Sequence, residues 1–236
     1  MKLDFYIDNL ISDNLLKANA ERDANHTPSG KVSASILGWA EQWVMLKLMG
    51  VKGEEFDALT LRKFKRGRQV EDWLRSEIKD TIVEEERFVE YQNCVGYVDA
   101  IVNTENWNFP SGIIPLEIKS VGLSKFFRIK KAGAQYSHKL QATLYGLAEG
   151  TDEYAIAYVD TDNLMTQVYV YPTSEYKDVI EAKLERLQGY VDRKEVPVFK
   201  AEEAWQSNPK YNSYSDWMEL SADEIKIKLE SYEPKT

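Results

Sequence analysis

Apolar side chains recur at helical spacing through the first third of the chain. A stripe over residues 5–16 predicts a first helix. Ser33 or Ser35 is a suitable N-cap for a second helix that ends before Gly50. Residues 60–79 form a third predicted helix, whose apolar stripe consists of Val70, Leu74 and Ile78.

The periodicity changes to that of β-strands in the middle of the chain. Short runs rich in β-branched residues predict three strands, over residues 87–91, 95–102 and 113–118, with a hairpin-like loop at 103–112. The following patterns predict a helix, two strands and two more helices, over residues 135–149, 154–159, 167–171, 174–190 and from about Ala222. The order helix, three strands, helix, strand predicts an α/β (α+β) fold with a mixed sheet flanked by helices.

Length and composition are those of one ordinary globular domain. The chain has 236 residues, of which 43% are hydrophobic and 29% charged. We expect a single domain over residues 1–236, with a core at about 60–172, a helical N-terminal part at 1–59 and a C-terminal extension at 173–236.

The sequence has neither the cysteine pairs of a disulfide-bonded protein nor the long apolar run of a membrane-spanning helix. The single cysteine, Cys94, excludes an internal disulfide and an all-cysteine cluster. No run of 18 apolar residues exists, and Asp4 and Asp8 interrupt the first apolar stretch, which is unlike a secretory signal. We therefore expect a cytoplasmic protein with no membrane partner.

The net charge of −9 is unevenly distributed. Residues 61–68 carry five cations and no acid, and residues 119–139 carry six cations and no acid. Such segments are typical of a phosphate-attracting stripe and equally of two solvated helix faces. The candidates for phosphate contact in these segments are Arg66, Arg68, Lys125, Arg128, Lys130 and Lys131.

Candidate reactive residues lie on two neighbouring predicted strands: Asp99 on the second, and Glu117 and Lys119 on the third. Side chains two apart on a strand share a face, so Glu117 and Lys119 point the same way. Both are costly to bury without partners. If the two strands pair as a hairpin, Asp99 lies close to Glu117 and Lys119. The two carboxylates would repel one another, and a divalent cation such as Mg²⁺ or Mn²⁺ between them would turn this repulsion into binding. A surface Glu–Lys pair is the alternative for this short pattern.

Two predicted helices add polar residues to this set. Glu71 lies within the apolar stripe of the third helix, where a carboxylate requires a cation or a donor. Gln141 and Tyr145 lie one turn apart on the helix at 135–149, with His138 on the same flank. They are candidates for contacts with phosphate or bound water, or else boundary residues at a helix edge.

In combination, these residues resemble the RecB-like branch of the PD-(D/E)XK nuclease superfamily, which includes bacteriophage exonucleases and CRISPR adaptation nucleases. The resemblance spans residues 33–159 and consists of Ser33-Ala34-Ser35, a helix at 39–48, Gly67-x-x-x-Glu71, Gly96-x-x-Asp99, Glu117-x-Lys119 and Gln141-x-x-x-Tyr145. It implies a restriction-endonuclease-like core of order αβββαβ, with N-terminal helices and a C-terminal helical extension.

The resemblance also implies a role for each site residue. Asp99 and Glu117 would ligate the metal together with the backbone carbonyl of Ile118. Lys119 would hold the attacking water or help to deprotonate it. Glu71 matches a helix position where relatives carry His or Glu, and would complete the metal shell. Gln141 and Tyr145 match a motif that positions DNA or the site itself.

The chain departs from the family pattern in two places. Iron–sulfur members carry four cysteines, so no iron–sulfur cluster is expected here. Val98 stands where the proline of the family name precedes the aspartate. There is also no G-x-x-x-x-G-K-[S/T] helicase motif, so the nuclease would act alone or together with a separate motor protein.

These observations predict a Mg²⁺- or Mn²⁺-dependent DNA exonuclease of a bacterial or phage-infected cell, acting on linear duplex or single-stranded DNA. A structure- or site-specific endonuclease and a catalytically silent DNA-binding or scaffold protein are the alternatives. The sequence leaves open the strand polarity, a homo-oligomer, and a recombination or replication partner.

Overall fold

A mixed sheet of six strands forms the centre of the protein. The computed structural model describes residues 3–24, 30–105, 112–211 and 213–232. The strands are β1 (Val32–Ser33), β2 (Ile82–Tyr91), β3 (Cys94–Asn103), β4 (Ile113–Val121), β5 (Glu153–Asp160) and β6 (Thr166–Pro172).

Helices cover both faces of this sheet. The described α-helices are α1 (Leu3–Ala24), α2 (Glu41–Leu48), α3 (Ala58–Glu77), α4 (Leu123–Ala132), α5 (Tyr136–Glu149), α6 (Lys177–Arg193) and α7 (Ala222–Glu230). The order α3, β2 to β4, α5, β5 is the predicted one, and the α/β fold with a restriction-endonuclease-like core is confirmed.

Strand β3 is paired with one strand along most of one edge and with two different strands at the two ends of the other edge. β2 runs antiparallel to it from Ile82↔Val102 to Tyr91↔Cys94. On the other edge, β1 pairs with Cys94 and Val95, whereas β4 pairs only with residues 100–103. None of the described strands pairs with residues 96–99 on that edge. We call this opening, between residues 96–99 of β3 and residues 117–121 of β4, the fork.

The two faces of the sheet are packed by different helices. Val70 and Leu74 of α3 pack with Leu116 and Ile118 of β4 in one core cluster. On the opposite face, α5 contributes Leu140, Leu144 and Tyr145 to a second cluster, which also holds side chains of α2, α6 and α7. The fork therefore lies between α3 on one side and α5 on the other.

The sequence-based boundaries require three corrections. The second helix begins at Glu41 and not at Ser33 or Ser35, because Val32 and Ser33 pair with β3 and a short 3-10 turn follows. Strand β2 begins at Ile82, earlier than predicted, because it follows β3 along its length. Helix α4 was not predicted at all, although Phe126 and Ile129 form a short apolar stripe at helical spacing.

The segment after residue 173 packs onto the main core. Trp217 and Ile225 are buried in the cluster that contains Trp43 of α2. None of the described helices is both long enough and apolar enough to span a bilayer.

Candidate active site

Asp99 lies at the fork and connects its two sides. Its Oδ2 accepts a hydrogen bond of 2.6 Å from the backbone N–H of Ile118. The pairing of β3 with β4 ends at Ala100↔Leu116, so the Asp99 carboxylate replaces the missing backbone acceptor. Burial raises the pKa of Asp99 above its usual value, although the charge of Lys119 and this hydrogen bond act in the opposite direction.

The side-chain alternation of β3 shifts next to Asp99. Val98 packs in the cluster of α5, whereas Ala100 packs in that of α3, although side chains two apart on a regular strand share a face. Glu86, which lies between the β2 partners of these two residues, has a positive φ of 49°. Since Gly96 and Val98 face α5, Tyr97 between them faces the side of α3, and Asp99 lies at the shift itself.

Glu117 and Lys119 lie on β4 and form an ion pair with each other. Leu116 and Ile118 point into the cluster of α3, so Glu117 and Lys119 point to the other face, as the alternation predicts. The Glu117 side chain is 2% exposed, and its Oε2 is buried without a hydrogen-bond partner among the described residues. Burial, followed by the charge of Asp99, raises the pKa of Glu117 to about 8.

Lys119 remains charged in this setting. Burial alone would lower the pKa of Lys119, but the carboxylates of Glu117 and Asp99 outweigh burial and raise it above the usual value. The amine is therefore held as a cation beside the candidate metal ligands.

Glu71 approaches the fork from α3. Burial, followed by the charge of Asp99, raises the pKa of Glu71, and the charge of Lys119 opposes this. The close approach of α3 to β4 depends on Gly67, because a Cβ at that position would lie 3.0 Å from Ser120 Oγ. Glu71, Asp99, Glu117 and Lys119 are thus close enough to perturb one another's ionisation.

Gln141 and Tyr145 form a buried pair behind the fork. Gln141 Nε2 donates a hydrogen bond of 2.8 Å to the Tyr145 hydroxyl, and the two residues are 7% and 2% exposed. Burial, followed by the charge of Glu117, raises the pKa of Tyr145 well above its usual value. The pair is therefore packed in the core next to the fork, and its role in positioning DNA or the site stays a prediction.

His138 lies at the beginning of α5, near Lys119. Its Nδ1 shares a hydrogen bond of 2.8 Å with the Tyr158 hydroxyl. Burial, followed by the charges of Lys119 and Lys125, lowers the pKa of His138 well below its usual value. Burial thus favours the neutral imidazole, and a contact of His138 with phosphate stays a prediction.

The basic candidates divide into those near the fork and those away from it. Lys125 of α4 is close to Lys119, and burial, followed by the charge of Arg128, lowers the pKa of Lys125. Arg66 forms an exposed ion pair of 3.7 Å with Asp162. The remaining candidates are exposed side chains on α3 or α4, namely Arg68, Arg128, Lys130 and Lys131.

Arg75 is a cation of this site that the sequence-based reasoning missed. Its side chain is 13% exposed and pairs with Asp72 at 2.5 Å, Glu86 at 3.4 Å and Glu85 at 3.6 Å. Its positive charge also opposes the rise in the pKa values of Glu71 and Asp99 that burial causes. The signal was present, because Arg75 follows Glu71 by four residues on the same helix face.

The comparisons with known proteins concern the fold. No protein-family model matches the sequence, and no curated protein matches it. The solved structure of SSO0001 matches with a TM-score of 0.52 and 19% identity, over 90% of this chain and 96% of that chain. This chain therefore shares the fold of SSO0001.

Two further solved structures match at lower TM-scores. An alkaline exonuclease from Laribacter hongkongensis, also solved in complex with dAMP, matches with a TM-score of 0.49 and 18% identity, over 70% of this chain and 93% of that chain. A phage-related exonuclease from Haemophilus somnus 129PT matches with a TM-score of 0.45 and 15% identity, over 68% and 81%.

The donor set at the fork has the chemistry of a site for a hard divalent cation. The charge of Asp99 on β3 raises the pKa values of Glu71 on α3 and Glu117 on β4, and Glu117 Oε2 is a buried oxygen without a hydrogen-bond partner among the described residues. Within the described parts of the chain, no three His, Cys, Asp and Glu side chains are grouped closely enough to hold a metal ion together. In this structure the Lys119 amine pairs with Oε1 of Glu117.

Proposed function

We propose that the protein is a metal-dependent deoxyribonuclease that hydrolyses DNA phosphodiester bonds, and that it acts from DNA ends. The observation that carries this proposal is the buried, unpartnered Oε2 of Glu117 beside Asp99 and Lys119. An isolated buried carboxylate oxygen is costly, and a divalent cation would satisfy it.

Each residue of the fork has a defined role in this proposal. Asp99, Glu117, the Ile118 carbonyl and Glu71 would hold Mg²⁺ or Mn²⁺. When bound, such an ion supplies Lewis-acid stabilisation of the phosphate and lowers the pKa of a water molecule. The Lys119 ammonium orients the nucleophilic water and stabilises negative charge on the phosphate oxygens.

The surroundings of the fork are suited to a polyanion. Lys125 lies between the fork and the exposed cations of α4, so a strand that follows this helix would meet positive charge up to Lys119. End-dependent action is the mode that the sequence resemblance to phage exonucleases implies. A structure- or site-specific endonuclease would use the same chemistry on a different DNA geometry.

The test is digestion of end-labelled linear duplex, linear single strands and closed circular duplex, each with Mg²⁺, Mn²⁺ or EDTA. We expect metal-dependent release of nucleotides from linear DNA, with the circle left intact. Glu117→Gln should be inactive, whereas Glu77→Gln, an exposed glutamate of α3, should retain activity. Cleavage of the circle would replace the exonuclease by an endonuclease, and an inert wild-type protein would overturn the proposal.

A further inference from the structure

Two exposed aromatic side chains lie beside the fork. Tyr97 is 64% exposed and Phe88 is 53% exposed, which makes Tyr97 the most exposed aromatic residue in the described part of the chain. The two residues are direct partners across β2 and β3, and their rings meet edge to face with centroids 5.3 Å apart. We call them the Phe88–Tyr97 pair.

The Phe88–Tyr97 pair lies next to Asp99, which follows Tyr97 by two residues on β3. Gly96 and Val98 point toward α5, so Tyr97 points to the side of α3, from which Glu71 also approaches the fork. Residues two apart on a strand are roughly 6.5–7 Å apart. A nucleotide whose phosphate lay at Asp99 would therefore have its base within reach of the Tyr97 ring.

Two arginines pair with the acidic run of β2. Glu85 and Glu86 pair with Arg75 at 3.6 Å and 3.4 Å, and Glu84 pairs with Arg87 at 2.7 Å. Arg75 also pairs with Asp72, and Arg87 with Glu149 of α5, so the two cations offset only part of the negative charge. What this surface offers to DNA is therefore the aromatic rings and not a net positive charge.

We propose that the Phe88–Tyr97 pair is a stacking platform for an unpaired DNA base next to the scissile phosphate. This inference rests on the proposed nuclease function and adds a substrate class to it, namely single-stranded DNA or a frayed duplex end. Base stacking on an exposed ring requires a base that has left its own helical stack. The Tyr97 ring carries the contact, and Phe88 holds that ring in place from the neighbouring strand.

The test compares Tyr97→Leu, which removes the ring, with Tyr97→Phe, which keeps it. On linear single strands, Tyr97→Leu should raise KM by about fivefold or more, the loss expected for one stacked base, with little change in kcat. Tyr97→Phe should restore the wild-type KM. Tyr6→Leu, at an exposed tyrosine of α1, is the matched control and should leave KM unchanged.

A binding measurement separates stacking from other roles of Tyr97. In the Glu117→Gln background, a strand with 2-aminopurine near its end should lose fluorescence on binding, and Tyr97→Leu should abolish this loss. Thermal unfolding of Tyr97→Leu gives the purely structural contribution of the ring. Equal KM and equal quenching in Tyr97→Leu and Tyr97→Phe, in a protein that cleaves DNA, would overturn the platform. A wild-type protein without cleavage, but with Tyr97-dependent quenching, would overturn only the nuclease function.

Discussion

The Asp99 carboxylate accepts a hydrogen bond of 2.6 Å from the backbone N–H of Ile118. Ile118 is the residue between Glu117 and Lys119, so this single bond fixes Asp99 relative to both candidate reactive residues of β4. The bond exists because β3 and β4 stop pairing at Ala100↔Leu116. The separation of two strands thus places a carboxylate where a sheet would normally have a backbone carbonyl.

Removal of the amine at the fork tests the role of Lys119. We predict that Lys119→Ala lowers kcat by about 100-fold or more, the usual loss when one positioned donor to the reacting group is removed. The variant should still fold and bind DNA. Lys79→Ala, at an exposed position after α3, should have wild-type kcat. Normal turnover by Lys119→Ala would exclude this lysine from the mechanism.

Gly96 is required by the close approach of β3 to Tyr145. A Cβ at position 96 would lie 2.8 Å from the Tyr145 ring and 2.9 Å from Ala34 Cβ. We predict that Gly96→Ala lowers the free energy of unfolding by about 1–3 kcal/mol, measured by urea denaturation.

A substitution at a second glycine is the control, and it should change the free energy of unfolding in the opposite direction. Gly189 lies inside α6, where a Cβ would meet only the far end of the Arg193 side chain, at 3.1 Å. Gly189→Ala should raise the free energy of unfolding by about 0.5–1 kcal/mol, because alanine is the better helix former. If both substitutions had the same effect, the packing of Tyr145 on β3 would be refuted.

Lys183 is a buried cation that joins α6 to the C-terminal segment. Its ammonium donates hydrogen bonds to the Trp39 carbonyl at 2.7 Å and to Glu202 Oε1 at 2.5 Å. We predict that Glu202→Gln lowers the free energy of unfolding by about 3 kcal/mol, because it leaves the buried charge of Lys183 with neutral hydrogen-bond acceptors in place of a carboxylate. Glu219→Gln, at an exposed position, should have no effect. A stability loss equal to that of the control would show that the buried pair is not formed.

Cys94 is fully buried, and its thiol should be unreactive in the folded protein. Burial raises the pKa of Cys94 to about 12, from 9.0 for a free thiol. The thiol of the unfolded chain loses its proton at a lower pH than the thiol of the folded protein. The contribution of the buried thiol to stability is therefore complete below pH 9 and is lost as the pH rises from 9 toward 12. At pH 9, iodoacetamide should therefore label the urea-unfolded protein much faster than the native one. The stability difference between wild type and Cys94→Ala should shrink over the same pH interval, and rapid labelling of the native protein would refute this burial.

The local sequence pattern was sufficient to predict much of the fold and part of the candidate site. The spacing of Glu117 and Lys119 predicted their common face because a strand alternates its side chains whatever the rest of the molecule does. The apolar stripe of α3 likewise placed Glu71 toward the sheet. These features depend only on neighbours within one element.

Features that depend on distant pairing were not predictable in the same way. The alternation of β3 shifts between Val98 and Ala100, where β2 is distorted at Glu86 and β4 diverges, and no spacing within β3 contains that information. The two-residue strand at Val32 is formed only through its pairing with Cys94. The exposure of Tyr97 follows from the same geometry, since α3 covers Ala100 and Val102 of β3.

The central claim is that carboxylates from α3, β3 and β4 bind one divalent cation at the fork. It is tested most directly by calorimetric titration of Mn²⁺ into wild type, Asp99→Asn, Glu117→Gln and the control Glu77→Gln. We predict one site in the wild type and in Glu77→Gln, with affinity at least tenfold weaker in the Asp99 and Glu117 variants. Unchanged Mn²⁺ affinity in Asp99→Asn and Glu117→Gln would contradict it.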